Sequence, residues 1–493
     1  MKQKIIIIAA IFMASPLLYS FCGFYVSKAD ATLKNKTSQV ILVRDGNRNV
    51  ITMYNDFKGD SKDFAMVVPV PVVLQKNDIK VIDQSLFQRL NDYSAPRLVE
   101  YYDENPCEPK RYYDKAISGK VAGVSLNEKA SNLDEVRKDY GVKVEAQYIV
   151  GEYDILILSA KESSGLKDWL TINGYKIPKA AEEVLDPYIK SNLKFFVVKV
   201  NEAEKKKLSS NFLRPIQISF TSPKFMLPIR LGMANADGDQ DLIVYAFTRK
   251  GRIECTNYRN VNMPTGNNIP LFVQKNFGNF YNNLFTHQWH TENDNVSFLE
   301  YAWDVTPANF YHCDPCIATA PSEYDIVQAG VWWLHQDWND YRDIDNEDPS
   351  TMGNKNVHFT RLHFRYNRNS FAQDLQFQVT PNTETFQARY VITHPATGNF
   401  TCDAGVKYID DLRKRRKKEL FELTNLTGKG IDNWQDIANE NVETEVNNRA
   451  QYASILPEVQ QLENDSKQSK KPLFFLGLLA IGSAIVLKYK GMI

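Results

Sequence analysis

The stretch Gln39–Tyr54, QVILVRDGNRNVITMY, indicates how the folded part of this chain begins. Residues Gln39–Val43 are continuously apolar or β-prone, and Asn49–Tyr54 is a second run of the same character. Between the two runs, Asp45–Arg48 supplies the Asp, Gly and Asn residues that are common in tight turns. Two β-prone runs joined by such a turn predict a β-hairpin, so we expect the fold to begin with antiparallel strands.

Outward from this hairpin, further β-prone segments recur, and two helical segments lie among them. Pro69 and Pro71 place the next strand, Phe64–Val70, near a sheet edge, because proline donates no hydrogen bond to a strand ladder. Helices are expected at Ser163–Leu170 and from Pro178 to about Asn192. The remaining predicted strands are Val144–Val150, Tyr153–Ser159, Leu193–Val200, Ile216–Phe220, Asp241–Phe247, Arg252–Cys255, His358–Tyr366, Leu375–Val379 and Phe386–Ile392. This irregular alternation predicts an α+β fold with mostly antiparallel sheets, rather than a doubly wound sheet.

Changes in composition divide the chain into predicted regions. Residues 22–259 are expected to form an N-terminal α+β domain. The Asn-, Gly- and Phe-rich stretch 260–283 is expected to be a long loop or a domain boundary. Residues 260–403 would then form an aromatic-rich second domain or subdomain that contains cysteines and histidines. Residues 404–471 carry a partial stripe of leucines at helical spacing and predict a helical stalk.

Both ends of the chain are apolar. Lys2 and Lys4 precede the apolar run Ile5–Ala14, which predicts a signal peptide over residues 1–21. Residues 472–488, flanked by lysines, predict one transmembrane helix. Its apolar part is short, about 22 Å of helix, so the lysines would have to reach the membrane interface. The ends therefore predict a single-pass cell-membrane protein whose bulk lies on the extracytoplasmic, periplasmic side. A buried or interfacial C-terminal helix is the alternative.

The charge balance and the cysteine count narrow the choice of partner and compartment. Lysine plus arginine and aspartate plus glutamate both number 59, so no nucleic-acid partner is expected. The six cysteines are an even number, as expected for an exported chain whose disulfides persist. The candidates for structural disulfides are Cys22, Cys107, Cys255, Cys313, Cys316 and Cys402.

The sharpest local pattern is His312-Cys313-Asp-Pro-Cys316. Thiol–disulfide oxidoreductases use a Cys-x-x-Cys pair with proline before the second cysteine, although the strand and helix expected around it are missing here. The same three side chains, joined by His287 or His290, are weak candidates for a metal site. A disulfide, either within the motif or between one of its cysteines and Cys255 or Cys402, is the third interpretation and the one that the residues favour.

Two charged patterns have a functional and an ordinary interpretation. Asn235–Asp241 resembles the start of a calcium loop, but the expected Gly and Glu positions hold Leu242 and Thr248, so a turn is favoured. The basic block Arg413–Lys418 could contact anionic lipid head groups. A solvated helix paired with neighbouring acids is favoured for it; those acids are Asp410, Asp411 and Glu419.

Tryptophans concentrate between Trp289 and Trp338, including Trp332 and Trp333. Such side chains stack on sugars and anchor protein partners, so this block is a candidate surface for a glycan or an envelope protein. A role in the core of the second domain is favoured. No hydrolase, metalloprotease, P-loop or dinucleotide motif is present, so the catalytic residues remain unknown and no cofactor is expected.

Several longer stretches between Cys22 and about Leu426 form a specific pattern. They are Cys22–Ala31, Asp56–Pro71, Ser94–Asp103 with Cys107, Trp169–Tyr175, Asp241–Tyr245, Ala302–Asp304, His312–Cys316, Thr360–His363 and Arg389–Val391. Together they resemble the exported bacterial proteins grouped as domain-of-unknown-function family 2330. The resemblance implies a secreted or membrane-tethered protein and carries no activity. It also implies that Cys22 and Cys107 are structural partners, and that Cys313 and Cys316 form a disulfide, a metal site or a redox pair.

These observations predict a membrane-anchored, extracytoplasmic protein of the bacterial cell envelope that acts by binding or scaffolding. The alternative is a thiol–disulfide oxidoreductase or a metal-dependent enzyme centred on His312, Cys313 and Cys316.

Overall fold

The computed structural model describes residues 24–25, 37–54, 65–108, 141–173, 181–208, 213–232, 238–307, 318–334, 355–367 and 369–429. The predicted signal peptide and transmembrane run, and residues 430–471 of the predicted stalk, lie outside these ranges. So do four predicted site residues, Cys22, His312, Cys313 and Cys316, together with Trp338 and residues 235–237 of the calcium-like stretch.

Strands outnumber helices in the described part of the chain. The strands are β1 (Phe24–Tyr25), β2 (Thr37–Asp45), β3 (Arg48–Met53), β4 (Ala65–Val70), β5 (Ile79–Val81), β6 (Arg97–Tyr102), β7 (Val142–Val150), β8 (Tyr153–Ala160), β9 (Lys194–Val200), β10 (Ile216–Thr221), β11 (Met226–Leu227), β12 (Gln240–Thr248), β13 (Ile253–Cys255), β14 (Arg259–Asn262), β15 (Asn267–Asn268), β16 (Val296–Asp304), β17 (His358–Tyr366), β18 (Leu375–Val379), β19 (Phe386–Gln387) and β20 (Arg389–His394). The helices are α1 (Ser85–Ser94), α2 (Ser163–Ile172), α3 (Ala181–Lys190), α4 (Glu202–Lys205), α5 (Phe277–Thr291), α6 (Glu323–Gln328) and α7 (Asp403–Thr427).

The predicted hairpin is confirmed and lies inside the largest sheet. β2 and β3 pair antiparallel from Asp45 opposite Arg48 to Val40 opposite Met53. Gly46 has a φ of 51°, in the left-handed region that glycine enters without steric cost. The nine-stranded sheet runs β14-β16-β17-β12-β2-β3-β10-β5, with β19 paired to β16. Within it only β2–β12 and β14–β16 are parallel, so the expected predominance of antiparallel pairing is confirmed for the described strands.

A five-stranded sheet, ordered β1-β4-β9-β8-β7, packs against the nine-stranded sheet. Side chains alternate between the two faces of a strand. In β2, Val40 and Leu42 therefore lie in the core between the sheets, while Ile41 and Val43 lie in the core on the other side. β4 carries Pro69 beside the short edge strand β1, in line with the predicted edge position.

Helices cover the outer faces of both sheets. α1 and the segment around α6 pack on the nine-stranded sheet through a core that includes Leu86, Leu90 and Trp333. α2 and α3 pack on the five-stranded sheet through Leu166, Trp169 and other buried side chains. A separate core contains α5, the end of α7 and the three-stranded sheet β15-β20-β6. The α+β fold class is thus confirmed as sheets covered by helices.

The predicted division of the chain at residues 259/260 does not hold. β12 pairs along its whole length with β17, although the two strands lie on opposite sides of that position. The stretch 260–283, expected to be a loop, contains part of β14, β15, a 3-10 helix at Leu271–Asn276 and the first half of α5. Described strands of 22–259 and of 260–403 therefore share one sheet, and the second domain or subdomain predicted for 260–403 is not separated from the first at this position.

The described part of the predicted stalk is a helix attached to the folded body. α7 buries Leu412, Leu420, Leu423 and Leu426, so it is a component of the core rather than an extended stalk. It ends at Gly428, whose φ is 64°. Among the residues described, no helix is long and apolar enough to cross a membrane.

Candidate functional site

Cysteine pairing differs from the pairing that the family resemblance implied. Cys107 is bonded to Cys402, with an S–S distance of 2.08 Å and 295 residues between the two positions. Cys107 is therefore not the partner of Cys22. Cys255, the third described candidate, is a buried free thiol whose pKa is raised by burial. A disulfide from the motif at 312–316 to Cys255 or Cys402 is therefore wrong, because Cys402 is bonded to Cys107 and Cys255 is free. Because the motif itself lies outside the described residues, its redox and metal interpretations and a disulfide within it stay predictions.

The deepest group of charged side chains joins β16 and β17. Glu300 is completely buried, and its carboxylate accepts hydrogen bonds from Arg361 Nε at 2.5 Å and from His363 Nδ1 at 2.6 Å. The Tyr281 hydroxyl, on α5, donates to the same carboxylate. Arg361 also donates to Asn91 Oδ1 on α1, at 2.9 Å. A single carboxylate thus links two neighbouring strands and, through these side chains, the helices α1 and α5.

Opposite charges outweigh burial in setting the protonation of this cluster. Burial alone would raise the pKa of Glu300, but the charges of His363 and Arg361 and the donated hydrogen bonds lower it to about 2. Burial likewise opposes the charged form of His363, yet the nearby carboxylates of Glu300 and Asp241 raise its pKa above the ordinary value. The cluster therefore holds a carboxylate and an imidazolium together in the core.

A second carboxylate continues the cluster towards the surface. Asp241 on β12 receives two hydrogen bonds from Arg365, at 2.7 and 3.0 Å, and lies 3.7 Å from His363 Nε2. Burial would raise the pKa of Asp241, but His363 and Arg365 lower it to about 2. Phe285 stacks on the His363 ring with a centroid distance of 3.9 Å. Because Phe285 stacks on the imidazole and the His363 side chain is only 10% exposed, we assign the cluster to stability rather than to chemistry on a substrate.

The sequence contains a signal for this cluster that the prediction missed. In His358–Tyr366, HFTRLHFRY, the basic residues Arg361, His363 and Arg365 alternate with apolar ones and so lie on one face of the strand. The strand is nevertheless buried along most of its length. Since buried charges must be paired, this pattern predicts acidic partners on the adjacent strands. Those partners are Glu300 and Asp241.

No metal ligand set is assembled in the described residues: no three His, Cys, Asp or Glu side chains are grouped to hold an ion. His290, one of the proposed extra ligands, pairs instead with Asp294 at 2.8 Å on the surface. At the end of the calcium-like stretch, Asp239 accepts a hydrogen bond from Asn367. Asp241 is engaged by Arg365, as described above. These acids therefore support the turn interpretation.

A mixed polar and apolar cleft lies on the opposite side of the nine-stranded sheet from the five-stranded sheet. Its volume is about 460 Å³, including the open mouth. The floor is formed by side chains of β3, β5 and β10, and the wall by the segment that follows α6. The lining residues that matter here are Arg48, Lys80, Gln217, Ser219 and Trp332.

Neighbouring strands bring the polar groups of this cleft together. Gln217 lies opposite both Thr52 on β3 and Lys80 on β5, so the three side chains share one face of the sheet. The Gln217 amide donates to Thr52 Oγ1 at 2.9 Å and to the Gln328 carbonyl at 3.0 Å, which fixes the floor to the wall.

The wall of the cleft approaches the sheet closely because it contains Gly330. This residue has a φ of 107°, and a Cβ there would lie 2.6 Å from the Val50 side chain. Trp332 is half-buried, and the Arg48 guanidinium lies over its ring at 4.5 Å from the centroid. Lys80 is exposed at the open side, while Asp78 accepts a hydrogen bond from the Gln75 amide at 2.7 Å. The cleft therefore presents two cations, one carboxylate, an indole and a hydroxyl group to a ligand.

The tryptophans of the aromatic block occupy different environments. Trp289 and Trp333 are 3% and 2% exposed, which agrees with the favoured interpretation that the block supplies core side chains. Trp332 is the exception among these, because its ring is half-buried in the cleft. The prediction thus named a cleft residue without its partners Arg48 and Lys80, which come from distant parts of the sequence.

Comparison with known proteins gives a family but no activity. A family model described as "Uncharacterized protein conserved in bacteria (DUF2330)" matches residues 16–378. No curated protein matches the chain, and no solved structure does. The match ends before α7, so the disulfide to Cys402 joins the matched region to a helix that lies beyond it.

Proposed function

The chain belongs to a family of uncharacterised proteins conserved in bacteria, and from this premise we propose that it is a membrane-anchored, extracytoplasmic binding protein. Its ligand site is the cleft between β3, β5, β10 and the segment Val327–Trp332. The observation that carries the binding role is the convergence of Arg48, Lys80, Gln217 and Trp332 on one open cleft. Concave sites with an aromatic wall and a few placed polar groups are typical ligand sites.

The Cys107–Cys402 bond supports the extracytoplasmic location. Disulfides persist in oxidising compartments and are rare in reducing ones. The apolar N-terminal run and the lysine-flanked C-terminal run give the same location from the sequence. The anchor is residues 472–488, with the folded body outside the membrane.

The chemistry of the cleft favours a sugar that bears a carboxylate. The Trp332 indole, with Arg48 over its ring, forms an apolar wall that a pyranose ring can contact, and arginine and lysine attract a carboxylate. Ser219 supplies a hydroxyl group that matches sugar hydroxyls. A neutral sugar would use the ring and the hydroxyl contacts but not the two cations.

Binding is tested with glucuronate as the probe and glucose as its neutral counterpart. Titration calorimetry on the full chain should give saturable binding of glucuronate, with glucose at least about tenfold weaker, or about 1.4 kcal/mol, as expected for one good charge contact. Lys80→Gln and Trp332→Ala should each weaken glucuronate binding. Lys190→Gln is the matched control, because Lys190 is exposed on α3, outside the cleft, and pairs with Asp186. Glucose binding as tightly as glucuronate, or no saturable binding, would overturn the assignment.

Location is tested separately by adding protease to intact spheroplasts. An exposed body should be degraded while a cytoplasmic marker survives. If the body is cleaved only after lysis, the extracytoplasmic assignment is wrong, whatever the cleft binds.

A further inference from the structure

The Cys107–Cys402 disulfide lies over the N-terminal turn of a long helix. Cys402 is the N-cap of α7, a helix of 25 residues, and its Sγ accepts a hydrogen bond from the Gly405 amide at 3.3 Å. A Cβ at Gly405 would lie 2.7 Å from Cys107 Sγ, so only glycine leaves room for the bond at this position. Both cysteines are half-buried rather than sealed in the core.

This position stabilises one of the two thiolates that would form on reduction. The free amide groups and the dipole at a helix N-terminus favour negative charge, and cysteines placed there become more acidic. The Gly405 amide already points at Cys402 Sγ, whereas Cys107 lies on a loop and has no helix of its own. Asp403 in the first turn and Glu108 beside Cys107 oppose the effect through their negative charges, but only Cys402 Sγ has a helix amide directed at it among the described residues.

We propose that the Cys107–Cys402 bond is a site of reversible thiol–disulfide exchange, with an external dithiol as the reductant and Cys402 as the leaving thiolate. A thiolate of the reductant attacks Cys107 Sγ, the S–S bond breaks, and its electron pair goes to Cys402 Sγ. The second thiol of the reductant then loses a proton and attacks the mixed disulfide. Cys107 leaves as a thiolate and takes up a proton. The two cysteines gain two electrons, and the reductant becomes a cyclic disulfide.

Contacts around the bond keep the two thiols close after reduction. Asp103, four residues before Cys107, accepts hydrogen bonds from Tyr408 at 2.7 Å and from Arg415 at 2.7 and 3.2 Å. Asn105 donates to the Thr397 carbonyl at 2.9 Å. These bonds tie the loop to α7 and to the segment before it without any help from the sulfurs. Reduction therefore opens the bond without separating its ends, and the bond can form again.

The exchange is tested on the full-length oxidised chain with dithiothreitol as the dithiol. Samples are trapped over time with light iodoacetamide, reduced completely, labelled with heavy iodoacetamide and read by peptide mass spectrometry. In reduced protein at pH 7, Cys402 should alkylate about tenfold faster than Cys107, as a thiol about one pKa unit more acidic would. Adding oxidised dithiothreitol should restore the bond.

Two single variants isolate the helix effect. In Cys107→Ser the remaining Cys402 should react with the pH dependence of a thiol that is more acidic than an ordinary cysteine, because it lies at the N-cap of α7. In Cys402→Ser the remaining Cys107 should titrate near the ordinary value of about 8.5. Far-UV circular dichroism checks that both variants are folded, and the wild-type comparison stands without them. If Cys402 reacts no faster than Cys107, or if the reduced protein does not re-form the bond, the proposal is wrong.

Discussion

Glu300 is the residue on which the buried charges depend, because three side chains donate to its carboxylate in a site without solvent. Replacing Glu300 with Gln keeps the shape but removes the charge that Arg361 and His363 face. We expect Glu300→Gln to lower the free energy of unfolding by about 3–5 kcal/mol, the usual effect of removing one partner of a buried ion pair. Urea denaturation followed by fluorescence measures this change.

The matched control is a carboxylate of the same kind on the surface. Asp186 pairs with Lys190 at 2.6 Å, but both side chains are exposed. Asp186→Asn should therefore change the free energy of unfolding by less than about 1 kcal/mol. An equally small change for Glu300→Gln would mean that water or rearrangement replaces the buried pair.

The same cluster predicts how stability depends on pH. Glu300 and Asp241 have pKa values lowered to about 2, so their contribution is present above about pH 4 and is lost as the pH falls towards 2. The pKa of His363 is raised, so its contribution is present below the unfolded value near 6.5 and is lost as the pH rises through the folded value. Thermal unfolding between pH 2 and 9 should show a Tm plateau that falls on both sides. His363→Gln should reduce the fall on the alkaline side, and an unchanged alkaline slope would show that another group causes it.

Among the elements, α7 is a helix that the sequence predicts correctly but whose packing it does not predict. The stripe of leucines correctly predicts a helix, and the basic block on it pairs with Asp410, Asp411 and Glu419 as expected. The prediction of a stalk is wrong for the described part, which packs on the folded body. It could not be corrected from the sequence of α7 alone, because the residues that contact α7 lie far from it in the sequence. Asp103 lies before Cys107, and the first half of α5 falls in the stretch 260–283 that was predicted to be a loop or a domain boundary. A helical stripe shows that a face is apolar but not what covers it.

Two adjacent residues of α7, Leu420 and Phe421, test whether this helix packs on the folded body. Leu420 is 3% exposed and Phe421 is 64% exposed. We expect Leu420→Ala to lower the free energy of unfolding by about 2–5 kcal/mol, because it leaves a cavity in the core. Phe421→Ala should change it by no more than about 0.5 kcal/mol. Equal effects in denaturant titrations would mean that the helix does not pack on the body in solution.

The elements that the sequence predicted best are those whose own residues carry a clear pattern of apolar or β-prone side chains. β7, β8, β12 and β17 were located to within a few residues for this reason. α5 was missed because its many Asn residues outweighed the spacing Phe277, Phe280, Tyr281, Leu284, Phe285, which does follow the helical period. β16 was missed because Glu300 interrupts its apolar run, and its partner lies 61 residues further along the chain.

At the scale of the whole molecule, the chain returns repeatedly to one sheet. β2 lies between β3, its neighbour in sequence, and β12, about 200 residues later. A change in composition at residue 260 therefore marks a change in local character and not a domain boundary. The cleft could not be predicted from the sequence for the same reason, because its residues come from four distant segments that meet only in the folded chain. These residues are Arg48, Lys80, Gln217 and Trp332. A sequence pattern indicates which face of a strand or helix is apolar or polar. The order of the strands in the sheet decides which of these faces pack together.

The Cys107–Cys402 bond closes a covalent loop between positions 295 residues apart, and its effect on stability belongs to the whole molecule. Cross-linking residues 295 positions apart restricts the unfolded chain, and loop-closure entropy sets an upper value of about 5–6 kcal/mol. We expect the double variant Cys107→Ser/Cys402→Ser to lose about 2–5 kcal/mol of unfolding free energy yet to remain folded, since Asp103 still holds Tyr408 and Arg415. Wild-type protein kept under dithiothreitol is the control and should unfold at nearly the same urea concentration as the double variant, because the cross-link and not the sulfur contacts is responsible. A difference below about 1 kcal/mol between oxidised and reduced wild-type protein would show that the unfolded chain gains little freedom when the bond opens, and that the bond's importance lies in its exchange chemistry alone.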